Sequence, residues 1–135
     1  ELFTDLKKLF PEEEFQFEVP SPELKLNVDR TQIEQILINL LKNAREACSR
    51  KSDKKIQVKA RKLSAGNTTL TISDNGEGIL PDVLDKIFVP FFTTKTSGSG
   101  IGLSLCKQIM TLHEGSINVK SEVGKGSSFI LTFPK

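Results

Sequence analysis

Asn39 and Asn43 stand four residues apart in a run whose apolar residues recur at helical spacing, so the two amides stack on one edge of a helix. Asparagine prefers caps and turns to helix interiors. Two readings fit the pair. One is a solvated helix edge. The other is an amide oxygen aimed into a cleft, where it helps hold a metal ion. Mg²⁺ suits the second, because it takes oxygen ligands, keeps several waters and is usually held by few protein groups together with substrate phosphates. Glu46, near the same edge, reads more simply as a surface carboxylate.

A second group follows at Asp74-Asn75-Gly76-Glu77-Gly78-Ile79. An acid comes directly after a strand pattern, and two glycines then let the backbone turn sharply and admit a ligand closely. A carboxylate at a strand end accepts hydrogen bonds, so it can read an exocyclic amine such as that of adenine. The plain alternative is a tight turn. A third group is Gly98-Ser99-Gly100-Ile101-Gly102-Leu103, three alternating glycines that open a helix. Free backbone N–H groups at a helix start form a natural phosphate cradle. The spacing is neither that of a P-loop nor that of a dinucleotide fingerprint. Before it lies Phe88-Val89-Pro90-Phe91-Phe92-Thr93-Thr94-Lys95. Aromatics flanking a flexible stretch suggest a lid that closes over a ligand. Lys95 is then either a partner for phosphate charge or a solvated loop cation.

The elements that must position these groups are legible from periodicity. Residues 2–10 have helical spacing and stop at Pro11, and 15–19 and 24–28 alternate as strands. Asp29 is placed to cap a long helix whose apolar face is Ile33, Ile36, Leu37, Leu40, Leu41, Ala44 and Cys48. Strands are expected at 56–63 and 68–73 around Gly66–Asn67, a short helix at 82–87, and a second long helix from about Ile101 to Leu112. Residues 117–121 and 129–133 close the chain as a hairpin over Gly124-Lys125-Gly126. The fold class is α+β: a two-layer sandwich of a mixed, mostly antiparallel sheet with helices on one face.

The 135 residues suit one compact domain over 1–135. A formal charge of +2 is too small to point to nucleic acid or an anionic membrane. Cys48 and Cys106 sit in apolar helical patterns without metal-ligand spacing, as buried free thiols do in a reducing compartment. No apolar stretch is long enough to cross a bilayer. The chain begins at Glu1 inside an apolar pattern, as a piece excised from a longer protein would.

Together the motifs resemble the Bergerat ATP-binding fold of the GHKL superfamily, which includes gyrase, a heat-shock chaperone, mismatch-repair ATPases and histidine kinases. NLLKNAREA at 39–47 resembles the N box, DNGEGI at 74–79 the first glycine box, FVPFFTTK at 88–95 the F box and GSGIGLSL at 98–105 the second glycine box. The closing segment LHEGSINVKSEVGKGSSFILTFP resembles the last strands of a histidine kinase catalytic domain, and PFFTTK resembles the nitrogen-regulation type of sensor kinase. The resemblance implies ATP and Mg²⁺ as ligands, with Asn43 coordinating the metal and Asp74 binding adenine. It implies loop-shaping roles for Gly76, Gly78, Gly98, Gly100 and Gly102. It also places Ile79, Phe88, Thr94, Lys95, Ser99, Ile101 and Leu103 against the nucleotide.

In the hydrolytic and serine-kinase branches a Glu four residues before the metal-binding Asn is thought to serve as general base. Here that position is Asn39. An amide cannot take a proton from water or a hydroxyl, whereas a neutral imidazole acceptor already has a free lone pair. The resemblance therefore implies phosphotransfer to histidine, with Asn39, Asn43 and Lys95 as the catalytic set. His113, the only histidine, falls at a helix end and reads as structural. The acceptor is expected on a preceding dimerisation domain, so the chain alone should bind ATP without autophosphorylating. A response regulator receiver domain is the further partner implied, with no nucleic acid. The isolated domain is expected to be a monomer, the full-length protein a homodimer, and the location cytoplasmic, either as a free protein or as the cytoplasmic part of a membrane-bound sensor. The alternatives are a GHKL-type ATPase or serine kinase, and a nucleotide-binding interaction module without transfer.

Overall fold

The computed structural model describes residues 15–18, 30–48, 52–63, 66–89 and 102–134. In chain order the elements are β1 (Phe15–Glu18), α1 (Arg30–Ala47), β2 (Ile56–Lys62) and β3 (Thr68–Asp74), then α2 (Pro81–Leu84), α3 (Gly102–Leu112), β4 (Ser116–Glu122) and β5 (Gly126–Phe133). The sheet order is β1-β2-β3-β5-β4. β1 runs parallel to β2, and every other neighbouring pair is antiparallel. The expected helix at 2–10 and strand at 24–28 lie outside the described residues.

Strand alternation gives the sheet one apolar face. Val58, Ile72, Phe129 and Val119 form one row across four strands, and Ala60, Leu70, Leu131 and Ile117 form the next. All of these are buried except Val119, which is half-buried. The intervening residues, among them Gln57, Lys59, Thr69, Thr71, Ser73 and Ser128, carry the other face. α1 lays Ile33, Ile36, Leu37, Leu40, Leu41 and Ala44 on the apolar face, beside Cys106, Ile109 and Met110 of α3. Helix and sheet thus share one core, the two-layer solution expected when each has one apolar side.

Boundaries follow local chemistry. The β2–β3 turn closes with the Leu63 N–H donating to the Asn67 carbonyl at 2.7 Å, and Gly66 takes a positive φ of 96°. The α2 helix begins with Pro81 in its first turn and ends at Leu84, short of the expected 87. From there, bonds to the third residue back replace helical ones, Lys86 N–H to the Val83 carbonyl and Val89 N–H to the Lys86 carbonyl.

α3 ends in a double closure: Gly115 N–H donates to the Met110 carbonyl at 2.8 Å and Glu114 N–H to the Thr111 carbonyl at 3.0 Å. The left-handed position in this motif is usually glycine, yet here it is Glu114, at φ 59°. The neighbouring Gly115 serves packing instead. A Cβ there would lie 2.8 Å from the Met110 Cε and closer still to the Thr132 carbonyl. The two adjacent positions therefore have opposite sensitivities. Glu114→Gly should raise the unfolding free energy by about 0.5–1 kcal/mol, since it relieves a left-handed side chain at the expense of some backbone entropy. Gly115→Ala should lower it by about 1–3 kcal/mol through overpacking. Denaturant titration of both variants measures the two effects, and equal signs would contradict the assignment.

Candidate functional site

Asp74 is the last residue of β3, paired with Ile56 on one side and Ser127 on the other. Its carboxylate turns back to accept the Gly76 N–H at 2.8 Å, and it also accepts the Ser127 N–H. Burial raises its pKa above the ordinary carboxylate range, and the two N–H donors only partly offset that rise. Asn75 points the other way. Its side-chain oxygen accepts the Lys55 N–H at 2.9 Å and the Cys48 thiol at 3.5 Å, and its amide donates to the Asp53 carbonyl at 2.8 Å. This one side chain ties the loop to the segment entering β2 and to the end of α1.

The glycines that follow are required by close approach. A Cβ on Gly76 would collide with the Ala47 carbonyl at the end of α1, and the neighbouring Glu77 N–H donates to that same carbonyl at 3.2 Å. Gly78 has a φ of 79°, and a Cβ there would strike the Glu122 carbonyl. The Glu77 carbonyl accepts the Gly124 N–H at 2.9 Å, and the Ile79 N–H donates to the Ser121 Oγ at 2.8 Å. The first glycine loop is thus held between the end of α1 and the β4–β5 hairpin.

Asn39 and Asn43 lie on α1, both half-buried. The Asn39 side-chain oxygen accepts from Gln35 Nε2 at 3.4 Å, and its amide donates to the Cys106 thiol on α3 at 3.9 Å. A Cβ built on Gly102 would come 3.9 Å from the Asn39 Cγ, so the first residue of α3 sits over this amide. Burial pushes the Cys106 thiol up to about 11, so it stays protonated and can also donate to the Ile36 carbonyl, at 4.0 Å. α1 is therefore the element both loops share: its end touches Gly76, and its Asn39 touches the start of α3. Leu103 and Phe88 pack against the core, and Lys107 Nζ lies 5.7 Å from the Phe88 ring centroid. Thr94, Lys95, Gly98, Ser99, Gly100 and Ile101 lie outside the described residues, as does PFFTTK at 90–95, which carries the narrower likeness to the nitrogen-regulation type.

His113 Nδ1 is 2.8 Å from the Ile109 carbonyl, one turn back on α3, which fits a structural histidine. Sequence reasoning gave no role to Asn75, Ser121 or Ser127, and read Gly126 only as part of a hairpin turn. Asn75 had a usable signal, a short amide in a turn. The others had none, because Ser121 meets Ile79, and Gly126 and Ser127 meet Asp74, only across separations of more than 40 residues.

A half-buried acid at a strand end, a glycine loop fixed to the end of one helix and a glycine-opened second helix beside it can receive a nucleotide between them. Residues 28–135 match the family of histidine kinase-, DNA gyrase B- and HSP90-like ATPases. The chain belongs to that family. It is 39% identical over 110 residues to the sensor histidine kinase ZraS of Salmonella typhimurium, covering 82% of this chain and 23% of that protein. Among solved structures, the catalytic domain of the histidine kinase ThkA is 35% identical, with a TM-score of 0.85 over 99% of this chain and 90% of that one. ThkA in complex with the response regulator protein TrrA gives 31% identity and a TM-score of 0.78, over 99% of this chain and 39% of that one. This is a histidine kinase-type ATPase domain with an α+β fold, and ATP is its nucleotide. It spans about a quarter of the curated relative's length. Among the described residues no helix is long and apolar enough to cross a membrane.

The raised pKa of Asp74 fixes the sign of a stability effect. Its folded value lies above the unfolded 3.8, so the folded state binds the proton more tightly. The contribution is fully present below 3.8 and is lost as pH rises through the folded value. Wild-type melting temperature should therefore fall relative to Asp74→Asn as pH is raised from below 3.8 to neutrality. A difference that grows in favour of wild type over that range would refute the buried setting of this carboxylate.

Proposed function

We propose that this domain binds Mg-ATP and delivers its γ-phosphoryl group to a histidine on a separate dimerisation domain of the same full-length protein. The observation that carries the reading is Asn39. The position that would hold a general base holds an amide instead, and that amide is engaged with Cys106 and Gln35. It has no basicity to offer a water or a hydroxyl. A neutral imidazole needs none: its lone-pair nitrogen forms the N–P bond as the bond to the β-phosphate oxygen breaks, giving ADP, and the proton on its other nitrogen leaves afterwards. The domain then has to position the phosphates and neutralise their charge.

In this reading Asp74 accepts a hydrogen bond from the exocyclic amine of adenine. Gly76, Gly78 and Ile79 form the wall beside the base. Phe88, Thr94 and Lys95 belong to the lid, and Gly98 to Leu103 cradle the phosphates at the start of α3. Asn43 supplies an amide oxygen to Mg²⁺. The donor set fits such an ion. Among the described residues no three His, Cys, Asp or Glu side chains gather into a cluster, so the ion would arrive with its charge met by phosphate oxygens and complete its shell with Asn43 and water. The solved complex of ThkA with a response regulator supports a receiver domain as second partner, and we place the domain in the cytoplasm within a homodimeric full-length protein.

The decisive experiment adds Mg-[γ-³²P]ATP and a matching His-containing helical domain. Acid-labile label on that domain is the expected result. Clear ATP binding with no transfer would favour a nucleotide-gated interaction module. Asn43→Ala should weaken Mg²⁺-dependent ATP binding by roughly tenfold or more, equivalent to ~1.4 kcal/mol. Asp74→Asn should do so by a similar factor, since a hydrogen bond to a charged group contributes about 1.5–3 kcal/mol. Transfer at an unchanged rate in Asn43→Ala would rule out its metal role.

A further inference from the structure

The geometry points to Ser121 as a positioning residue for nucleotide binding, one that sets the outgoing limb of the first glycine loop without touching the ligand. The inference rests on the reading of that loop as the wall of the nucleotide site. Ser121 lies on β4, at the edge of the sheet and opposite Ser127 on β5. Its Oγ accepts the Ile79 N–H at 2.8 Å, lies 2.8 Å from the Ser127 Oγ and donates to the Gly126 carbonyl at 3.1 Å.

A hydroxyl has one proton and two lone pairs. With the proton on the Gly126 carbonyl, the lone pairs take the Ile79 N–H and the Ser127 hydroxyl proton, and the oxygen is saturated. Ser121 therefore reaches both sides of the Asp74 surroundings. Through Ile79 it holds the loop that leaves Asp74. Through Ser127 it holds the residue whose backbone N–H binds the Asp74 carboxylate. At Glu77 and Gly78 the contacts described between loop and hairpin are made by backbone, Gly78 against Glu122 and Gly124 N–H to the Glu77 carbonyl. They fix the loop at Glu77 and Gly78. Ser121 is the side chain that carries the restraint on to Ile79.

Ser128 provides the control. Its Oγ pairs with the Ser73 Oγ at 2.9 Å, an interstrand hydroxyl pair of the same kind that also uses β5, but on the opposite face of the sheet. The probe is Mg-ADP, with affinity read by calorimetry and ligand-free melting read in parallel. Ser121→Ala should weaken ADP binding by about five- to tenfold, the loss expected for one hydrogen bond. Ser121→Thr, which keeps the oxygen, should restore it to within about twofold. Ser128→Ala should lower the melting temperature alone. In wild type the Ile79 amide should be protected from hydrogen exchange without nucleotide, a measurement that does not depend on any variant folding. Wild-type affinity in Ser121→Ala, equal affinity losses in Ser121→Ala and Ser128→Ala, or an unprotected Ile79 amide would each overturn the inference. Absence of ADP binding by wild type would overturn the nucleotide-site reading, and this inference with it.

Discussion

Gly76 has to lie against the last carbonyl of α1, and the rest of the site is arranged by that contact. The Ala47 carbonyl is one that no residue further along the helix satisfies, and the Glu77 N–H reaches it only because Gly76 has no side chain in the way. The same close approach is repeated twice within a few residues. Gly78 rests on the Glu122 carbonyl, and Gly126 rests on the Asp74 carbonyl. Three segments far apart in sequence, at the end of α1, after β3 and in the β4–β5 hairpin, therefore meet at three close backbone approaches. Contacts of that kind leave little slack, because a methyl group at any of the three glycines forces the backbone to move.

Periodicity gave α1 its apolar stripe, and the structure buries those same residues at the core. Alternation likewise marked β2, β3 and β5. These features are local in sequence, so one-dimensional spacing carries them. What spacing could not carry is pairing. Asp74 is a strand residue rather than a loop residue because Ile56 and Ser127 flank it, and nothing near position 74 encodes those neighbours. Ser121 looked like an ordinary hydroxyl on an edge strand, and its meaning comes from Ile79. The end of α3 is a further case of packing overriding local preference, since glycine usually takes the left-handed position after a helix. Packing against Thr132 and Met110 claimed Gly115, and the left-handed turn fell to Glu114.

Asn39 shows why a motif and its geometry answer different questions. The motif says which base is missing. The geometry says that the amide at that position bridges two helices, donating to the Cys106 thiol and lying under Gly102. A thiol that stays protonated is a weak partner, and a carboxylate in the place of Asn39 could still accept from Gln35 but could not donate to the Cys106 sulfur. The surroundings of position 39 therefore suit an amide, which accepts from one neighbour and donates to the other. The absence of a base and the approach of α3 to α1 are compatible features of one local environment.

Asp74 poses the opposite problem. A carboxylate whose pKa is raised by burial makes the folded state less stable at neutral pH than it would be with the proton retained. The two backbone donors hold the side chain in place but do not cancel that cost. A residue needed only to end β3 and start a turn would not require an ionised group here, since a neutral amide or hydroxyl also caps backbone N–H groups. Strain and unfavourable burial that a fold does not need are expected where a ligand uses them. In the proposed function the acceptor capacity of Asp74 is directed at an amine of the bound base. Gly76 and Ser127, which hold the carboxylate, then also set its orientation before the nucleotide arrives, so the ordering of this group need not be supplied by the binding event itself.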